Sequence, residues 1–439
     1  MSQDYTQYTI KNYILKITGV FKYDKDFYDK ALNSDYQSLK YDETSLGHYK
    51  DYFYPEFRNQ FYSNDDNRHH ILVRNFKENN NAELFELDRD GVMSKQSSLI
   101  IQKSRLDLME DGFGLFTLDI KINSSTTTLT DFSVASYLIR QFDTPIKNSK
   151  FNKWHEFIDS EVLLENFTRG VSIQIDEYSG SKYKLYMVLD VPNSEDNKTI
   201  SNILFDIGTV AIVGSAVATT NDSMDKNYIK QLVKNNSISV YNNWKGLALL
   251  DTFTVVGNGI GMFTYDNYYH GIYLYSLFIK YSLFKFNYEI ADLDEDKRSQ
   301  FQEFLTKHYH NYISYNFLPT EIFIKIKIAL DIEKELKIMN DKIELVGRQI
   351  QEEQQDRTNK ILGIVTVLSS LSSAQPVYDY LLVGQKYLGW DVAIYWSVTI
   401  SIVLILGGGV GFYVFGKNIL KWIKKRKKNI TLKIKSYDT

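Results

Sequence analysis

The sequence predicts an α+β/α-helical membrane protein, in which an N-terminal cytoplasmic α/β domain is joined to two transmembrane helices. Three observations lead to this fold class. Apolar and polar residues alternate in short runs up to about residue 265, which is typical of strands with one buried face. A heptad pattern follows between Ala329 and Ile350. Near the C-terminus, residues 392–416 form a stretch of 25 residues without charge, and about 20 helical residues suffice to cross a bilayer.

Composition narrows the classes of chemistry. The chain has 439 residues, of which 44% are hydrophobic, and it has no cysteine. Disulfides, cysteine-based zinc sites, iron–sulfur clusters and cysteine nucleophiles are therefore excluded. The first residues lack the apolar core of a secretory signal peptide. We therefore expect residues 1–265 to form a domain that stays in the cytoplasm.

The alternation places the strands of this domain. Strands are predicted at residues 13–17, 71–73 and 116–122, and a hairpin at 171–175 with 183–191. Residues 246–256 are predicted to form either another strand pair or one buried strand. Helical patterns lie between them, at residues 129–142, 154–167 and 224–233. Strands and helices are thus mixed along the domain, without an internal repeat.

Residues 266–318 are predicted to form a helical hairpin. The segment 268–286 is apolar and aromatic, but Lys280 and Lys285 interrupt it, which favours a packed helix over a membrane span. A second helix is predicted at 298–315. The acidic loop between them could bind a regulatory divalent cation, or it could be an ordinary solvated loop. Its three aspartates are Asp292, Asp294 and Asp296.

Residues 319–360 carry apolar residues at the a and d positions of about three heptads, which is typical of helices that associate. The a positions are Ala329, Leu336, Ile343 and Ile350, and the d positions are Ile332, Met339 and Val346. We expect one stalk helix, capped by Thr320 and unbroken into the membrane segment, roughly 80 Å long at 1.5 Å per residue. The alternative is an amphipathic helix packed on its own domain.

Two membrane helices are predicted at residues 361–383 and 392–416. The first is the weaker span, because it contains serines and a glutamine. The tail at 417–439 carries nine Lys or Arg residues and one Asp. Positive residues flank the cytoplasmic ends of membrane helices, so both termini are expected inside and the short connection outside. The tail then contacts anionic lipid, and no nucleic-acid partner is expected.

This order of segments resembles the CorA family of divalent-cation transporters. The resemblance is in the succession of a cytoplasmic domain, a long stalk helix, two spans and a basic tail. It implies a homopentamer in the bacterial inner membrane, with the stalk and first span lining the pore and Mg²⁺ or another divalent cation as the ion. The family signature Gly-Met-Asn is absent, since residues 375–380 read QPVYDY. Magnesium selectivity is therefore not carried over to this chain.

The first predicted span has a polar stripe. Its residues recur at spacings of 4, 3, 4 and 3, which places them on one helix face; they are Asn359, Gly363, Thr366, Ser370 and Ser373. Such a stripe suits either pore lining or close helix packing. Tyr378, which takes the place of a family tyrosine, and Asp379 are expected at the outer mouth, where a ring of carboxylates would concentrate cations. Gly407 and Gly411 of the second span allow close packing against the first.

One glycine-rich loop was considered as a ligand site. Gly257, Gly259 and Gly261 follow a predicted strand, but the third glycine is one position early for a dinucleotide fingerprint. A simple turn is one reading and a backbone cradle for phosphate the other. The sequence contains no recognisable catalytic motif, so an enzyme is not expected.

Three functions remain open from the sequence. The first is a ligand- or ion-gated CorA-like channel or transporter that passes cations. The second is a CorA-like membrane effector of a type III CRISPR antiviral system. Such an effector is activated by a nucleotide second messenger such as SAM-AMP and disrupts the membrane. The third is a structural protein that the two helices merely tether to the membrane.

Overall fold

The computed structural model describes most of the first 388 residues. The described ranges are 8–24, 26–64, 69–76, 84–87, 97–109, 112–147, 149–164, 182–192, 197–213, 225–289, 295–388 and 398–399. The chain divides into two compact units, Met1–Met339 and Asn340–Thr439. All strands described below belong to the first unit.

The described strands form one sheet of eleven strands. They are β1 (Asn12–Lys22), β2 (Gln37–Ser38), β3 (His69–Asn75), β4 (Leu84–Leu87), β5 (Ser97–Met109), β6 (Phe113–Ile122), β7 (Ile146–Lys147), β8 (Lys184–Asp190), β9 (Ser237–Ile238), β10 (Trp244–Ala248) and β11 (Thr252–Gly257). Nine of them follow the order β2-β3-β5-β6-β1-β8-β11-β10-β9, while β4 pairs with β5 and β7. Among the described pairs, only β8 and β11 run parallel, so the unit is α+β.

Twelve α-helices and two π-helical turns are described. The helices are α1 (Phe27–Leu32), α2 (Glu43–Tyr52), α3 (Pro55–Phe61), α4 (Leu129–Arg140), α5 (Trp154–Phe157), α6 (Asn197–Gly208), α7 (Lys226–Asn236), α8 (Met262–Thr264), α9 (His270–Glu289), α10 (Glu295–His308), α11 (Phe317–Ala329) and α12 (Ile332–Leu388). The π-helical turns span Ile158–Val162 and Tyr265–Tyr269.

The predicted strands in β1, β3, β6 and the β10–β11 pair are confirmed. The predicted hairpin is only partly testable, because residues 171–175 lie outside the described residues. Its second strand is β8, which pairs with β1 on one side and β11 on the other. The helix predicted at 154–167 is a short α5 continued by a π-helical turn to Val162.

One face of the sheet carries the apolar core. Leu15 and Ile17 of β1 are buried there with Leu118 of β6, and helix α4 contributes Phe132 and Ile139. Helix α4 begins with a capping box at the edge of this core. The Thr128 side chain accepts the Asp131 N–H, and the Asp131 side chain accepts the Thr128 N–H. The apolar residues of the alternating pattern are thus those that face this core.

The opposite face is covered by the π-helical turn and α9. The ring of Tyr186 on β8 lies 5.0 Å from that of His270, and the ring of Phe113 on β6 lies 5.7 Å from that of Phe278. Helix α9 is a packed helix, as predicted, with Ile272 and Leu277 fully buried. The segment predicted as a helical hairpin, 266–318, belongs to the first unit.

The expected single stalk helix from 319 is wrong, because the chain breaks between α11 and α12. Leu330 still donates its N–H to the Ile326 carbonyl, but Asp331 then takes a positive φ of 54°. Aspartate tolerates this left-handed conformation better than most residues. Helix α11 also begins at Phe317, so Thr320 lies inside it rather than at its cap.

The start of α12 packs inside the first unit. Glu335 accepts hydrogen bonds from Lys280 and Asn287 of α9, at 3.0 and 2.8 Å. Ile332 and Met339 are fully buried. The first heptad of the seam therefore follows the alternative prediction of a helix packed on its own domain.

Further along, α12 continues through Pro376 to Leu388. Tyr378 and Asp379 therefore lie on this helix, which covers all of the predicted segment 361–383. A proline removes one backbone hydrogen bond without always ending a helix. Within the described part of the chain, no helix joins sufficient length to sufficient apolar character for crossing a membrane.

A buried ion cluster ties the β10–β11 turn to the sheet. Asp251 accepts from Lys184 at 2.5 Å and from Arg140, and both cations are largely buried. Burial raises the pKa of Asp251, but the two cations outweigh it and leave the pKa below its ordinary value of 3.8. The folded state is thus favoured whenever this carboxylate is charged.

Asp251→Asn is expected to destabilise the first unit by about 2–3 kcal/mol, because two buried cations lose their charged acceptor. Since the folded pKa is lowered, the contribution is fully present above pH 3.8 and is lost as the pH falls through the folded value. Urea unfolding midpoints at pH 7 and pH 3 measure both effects. A variant as stable as the wild type at pH 7 contradicts this assignment.

Candidate functional site

The central strands carry charged residues on the face beneath α9. Register places Lys16 of β1 opposite Asp119 of β6, and Asp119 opposite Lys103 of β5. Opposite charges on adjacent strands attract one another. We call the following set the charged layer: Lys16, Lys103, Arg105, Asp107, Asp119, Asp266 and His270.

Lys16 is the centre of this layer. Its ammonium lies 2.7 Å from Asp119 Oδ1 and 2.8 Å from Asp266 Oδ1, while the residue is only 6% exposed. Burial disfavours the charge, but the two carboxylates outweigh it and raise the pKa of Lys16. Lys16 is therefore a buried, fully charged cation shared by the sheet and the π-helical turn.

Arg105 and Asp107 form a second buried pair. They are two residues apart on β5, so both side chains point to the same face. The guanidinium reaches both carboxylate oxygens, with Nε 2.9 Å from Oδ2 and Nη2 2.6 Å from Oδ1. Asp107 is fully buried. Burial opposes the charge of Arg105, but Asp107 reverses this and raises its pKa.

Tyrosines hold the π-helical turn against the sheet. The hydroxyl of Tyr186 donates to the Tyr265 carbonyl and that of Tyr62 to the Tyr268 carbonyl, both at 2.8 Å. The Tyr265 carbonyl also accepts the backbone N–H of His270, so it holds two donors, and π turns are frequent at functional sites. Asp266, which bonds Lys16, lies in the middle of this turn.

Two members of the charged layer lack a partner. The Nε2 atom of His270 is buried and makes no hydrogen bond. Burial lowers the pKa of His270 well below its usual range, and Lys16, Arg105 and Lys103 lower it further. Among the described residues, Lys103 also has no ion pair, since Asp119 opposite it binds Lys16. Burial lowers the pKa of Lys103 as well. Both groups would gain from a nearby anion.

A cluster of tyrosines borders the charged layer. The Tyr62 ring is stacked on Tyr49, with centroids 4.1 Å apart, and Tyr49 meets Tyr268 edge to face at 5.4 Å. Tyr41 lies 5.3 Å from Tyr49, and its hydroxyl donates to the Phe61 carbonyl at 3.1 Å. Burial raises the pKa of Tyr41, Tyr49 and Tyr62, so all three hydroxyls stay protonated at neutral pH.

The cluster leaves no room at Gly271 of α9. A Cβ atom there would lie 1.9 Å from the Tyr62 hydroxyl oxygen. Tyr62 cannot swing away, because its ring is 2% exposed and stacked between Tyr49 and Phe53. We expect Gly271→Ala to lower the free energy of unfolding by about 3 kcal/mol, as overpacking does.

Gly47 of α2 provides the matched control. Nothing lies within 4 Å of a Cβ built there, so Gly47→Ala is expected to stabilise the protein by about 0.5–1 kcal/mol through helix propensity alone. Thermal unfolding of the two variants should shift in opposite directions. Equal shifts for both would show that Tyr62 is not fixed as described.

The predicted glycine loop lies at the carboxyl end of β11. Gly259 has a positive φ of 72° and donates its N–H to Asp190 Oδ1 at 2.7 Å. Asn258 of the same loop exchanges hydrogen bonds with Asn243. The Asp190 carboxylate already holds one N–H of the supposed phosphate cradle. Gly257, Gly259 and Gly261 therefore have the geometry of a turn.

Parts of the predicted cation loop and of the predicted pore lie outside the described residues. Asp292 and Asp294, and also Gly407 and Gly411, lie outside the described residues, while Asp296 is in the first turn of α10. In the described part, no three His, Cys, Asp or Glu side chains are grouped as metal ligands. The five residues of the polar stripe, Asn359, Gly363, Thr366, Ser370 and Ser373, all lie on α12.

Between residues 359 and 368, most side chains of α12 are exposed. Asn359 and Thr366 are exposed, and Thr366 bonds the Leu362 carbonyl at 2.7 Å. The apolar residues around them are also more than half exposed; they are Ile361, Leu362, Ile364, Val365 and Leu368. In a single chain, this part of α12 thus leaves both polar and apolar side chains uncovered.

Known proteins offer no match for this chain. No protein-family model, no curated protein and no solved structure matches it. The charged layer of the first unit and the uncovered side chains of α12 are the two features of the described residues that bear on function.

Proposed function

We propose that this chain is a subunit of a homo-oligomeric, CorA-like membrane channel, with five copies around a pore that passes cations. In this proposal the first unit binds a ligand or ion, and α12 transmits this binding to the pore. The observation that carries the proposal is the continuity of α12. One helix of 57 residues begins in the first unit, continues through the remaining heptads and contains the polar stripe.

The uncovered apolar side chains of α12 support a membrane or subunit partner. Ile361, Ile364 and Leu368 are each more than half exposed, and burial of such a side chain is worth about 1.5–3 kcal/mol. Lipid would cover this face and neighbouring copies would enclose the polar one. The uncharged segment 392–416, nearly all of it outside the described residues, would supply the second span.

Cation flux into liposomes tests this function. Purified protein reconstituted in lipid vesicles is expected to pass K⁺ or Mg²⁺, measured with ion-sensitive dyes, whereas empty vesicles should not. The vesicles are tested with and without soluble cell extract as a source of ligand. Absence of flux under both conditions contradicts a channel.

A second candidate is a membrane effector activated by a nucleotide second messenger such as SAM-AMP. The charged layer beside a tyrosine cluster favours it, because cations bind phosphates and aromatic rings stack on bases. In this case nucleotide addition should release a trapped dye too large for a selective channel. Flux limited to small cations supports the first candidate instead.

A further inference from the structure

Asp266 is the weakly held member of the charged layer. Its side chain is 46% exposed, although it lies 2.8 Å from the almost fully buried Lys16. Ion pairs with a half-exposed partner contribute little, because water competes for the carboxylate. Lys16 would keep Asp119 at 2.7 Å if Asp266 left. The ion pair between Asp266 and Lys16 can thus open at small cost, while the tyrosine hydrogen bonds keep the π-helical turn on the sheet.

Departure of Asp266 changes the local charge balance. Lys16, Lys103 and Arg105 would then face two carboxylates, Asp119 and Asp107. Lys103 has no ion pair among the described residues, and the buried Nε2 atom of His270 has no partner. Both features are costs in the folded protein. An external anion at this place would relieve both of them.

We propose that the charged layer binds a phosphate group, and that Asp266 occupies this site until the phosphate displaces it from Lys16. A phosphate has enough oxygens to accept from Lys16 and Lys103 together and also from the Nε2–H of a neutral His270, whereas a single carboxylate has only two. The site is argued from Met1–Met339 alone; only its regulatory meaning rests on the proposed function.

Displacement of Asp266 acts on the backbone of the π-helical turn. The turn spans Tyr265–Tyr269 and leads directly into α9 at His270. Helix α9 in turn holds the start of α12 through Lys280 and Glu335. Phosphate binding therefore removes one of the contacts that hold the turn before α9, and α9 is bonded to the start of α12.

Inorganic phosphate is the probe for this site. Binding to the full chain in lipid-free detergent is measured by calorimetry, against chloride at equal ionic strength, so lipid headgroups are not a source of the phosphate. The wild type should bind saturably. Lys103→Met should bind at least about tenfold more weakly, since it removes the unpaired cation. Asp266→Asn should bind about tenfold more tightly, because the internal competitor loses its charge.

Matched controls separate this effect from general changes in charge. Asp143, 70% exposed, pairs with Lys153 at 3.0 Å outside the charged layer, so Asp143→Asn and Lys153→Met should leave phosphate affinity unchanged. The proposal is overturned if Asp266→Asn binds phosphate no more tightly than wild type, if Lys103→Met binds equally well, or if binding requires added anionic lipid. These readouts do not depend on flux, so failure of the channel proposal would leave them interpretable.

Discussion

Replacing Arg105 with methionine is expected to lower the free energy of unfolding of the first unit by about 3–5 kcal/mol. The change leaves the Asp107 carboxylate fully buried without the guanidinium that reaches both of its oxygens. Methionine matches the apolar stem of arginine, so the loss comes from the uncompensated charge and not from a cavity. Urea unfolding followed by tryptophan fluorescence measures the difference.

The double variant Arg105→Met with Asp107→Leu serves as the control. It removes both charges at once, and replacing a buried ion pair with apolar residues is often close to neutral. Most of the lost stability should therefore return. A single variant that loses less than about 1 kcal/mol, or a double variant as unstable as the single one, would show that this pair is not buried as described.

Replacing Ser370 and Ser373 together with leucine is expected to reduce cation flux at least about tenfold. Both belong to the polar stripe of α12, and bulky apolar side chains in a narrow pore favour its dewetting. Oligomerisation and insertion into vesicles should be unaffected, since leucine is well tolerated in membrane helices. The measurement is flux per inserted protein in liposomes.

The control keeps the same spacing on the other face. Ile361→Leu with Ile364→Leu changes two residues three apart, both more than half exposed, and should leave flux unchanged. If the serine variant conducts as well as this control, the stripe is a packing surface. If it also retains every cellular function, the chain is a tether, the third function left open by its sequence.

Much of the sheet was predictable because its signal is local. Alternation in β1, β3 and β6 arises from one apolar face, and Leu15 and Ile17 lie in the core as their spacing requires. The break at Asp331 was not predictable in this way. The sequence around this break contains neither proline nor glycine. The positive φ of Asp331 is instead decided by how α11 and α12 pack.

The charged layer was missed for a related reason. Arg105 and Asp107 alternate with Leu106 and Leu108, which is the usual pattern of a strand with one face in water. Whether such a face is covered depends on a helix more than 150 residues later in the chain. One signal was available, since residues 271–279 of α9 carry no charge on any side of the helix, and such a segment is buried on all sides. Such a helix has to pack on another surface, which here is the charged face of the sheet.

The oligomeric state in detergent tests the central claim most directly. Native mass spectrometry of the purified full chain, 51.2 kDa per subunit, measures the number of copies without assumptions about shape. We expect five copies of the chain, joined through the part of α12 that lies beyond its contacts with α9. A monomer at all protein concentrations would contradict it.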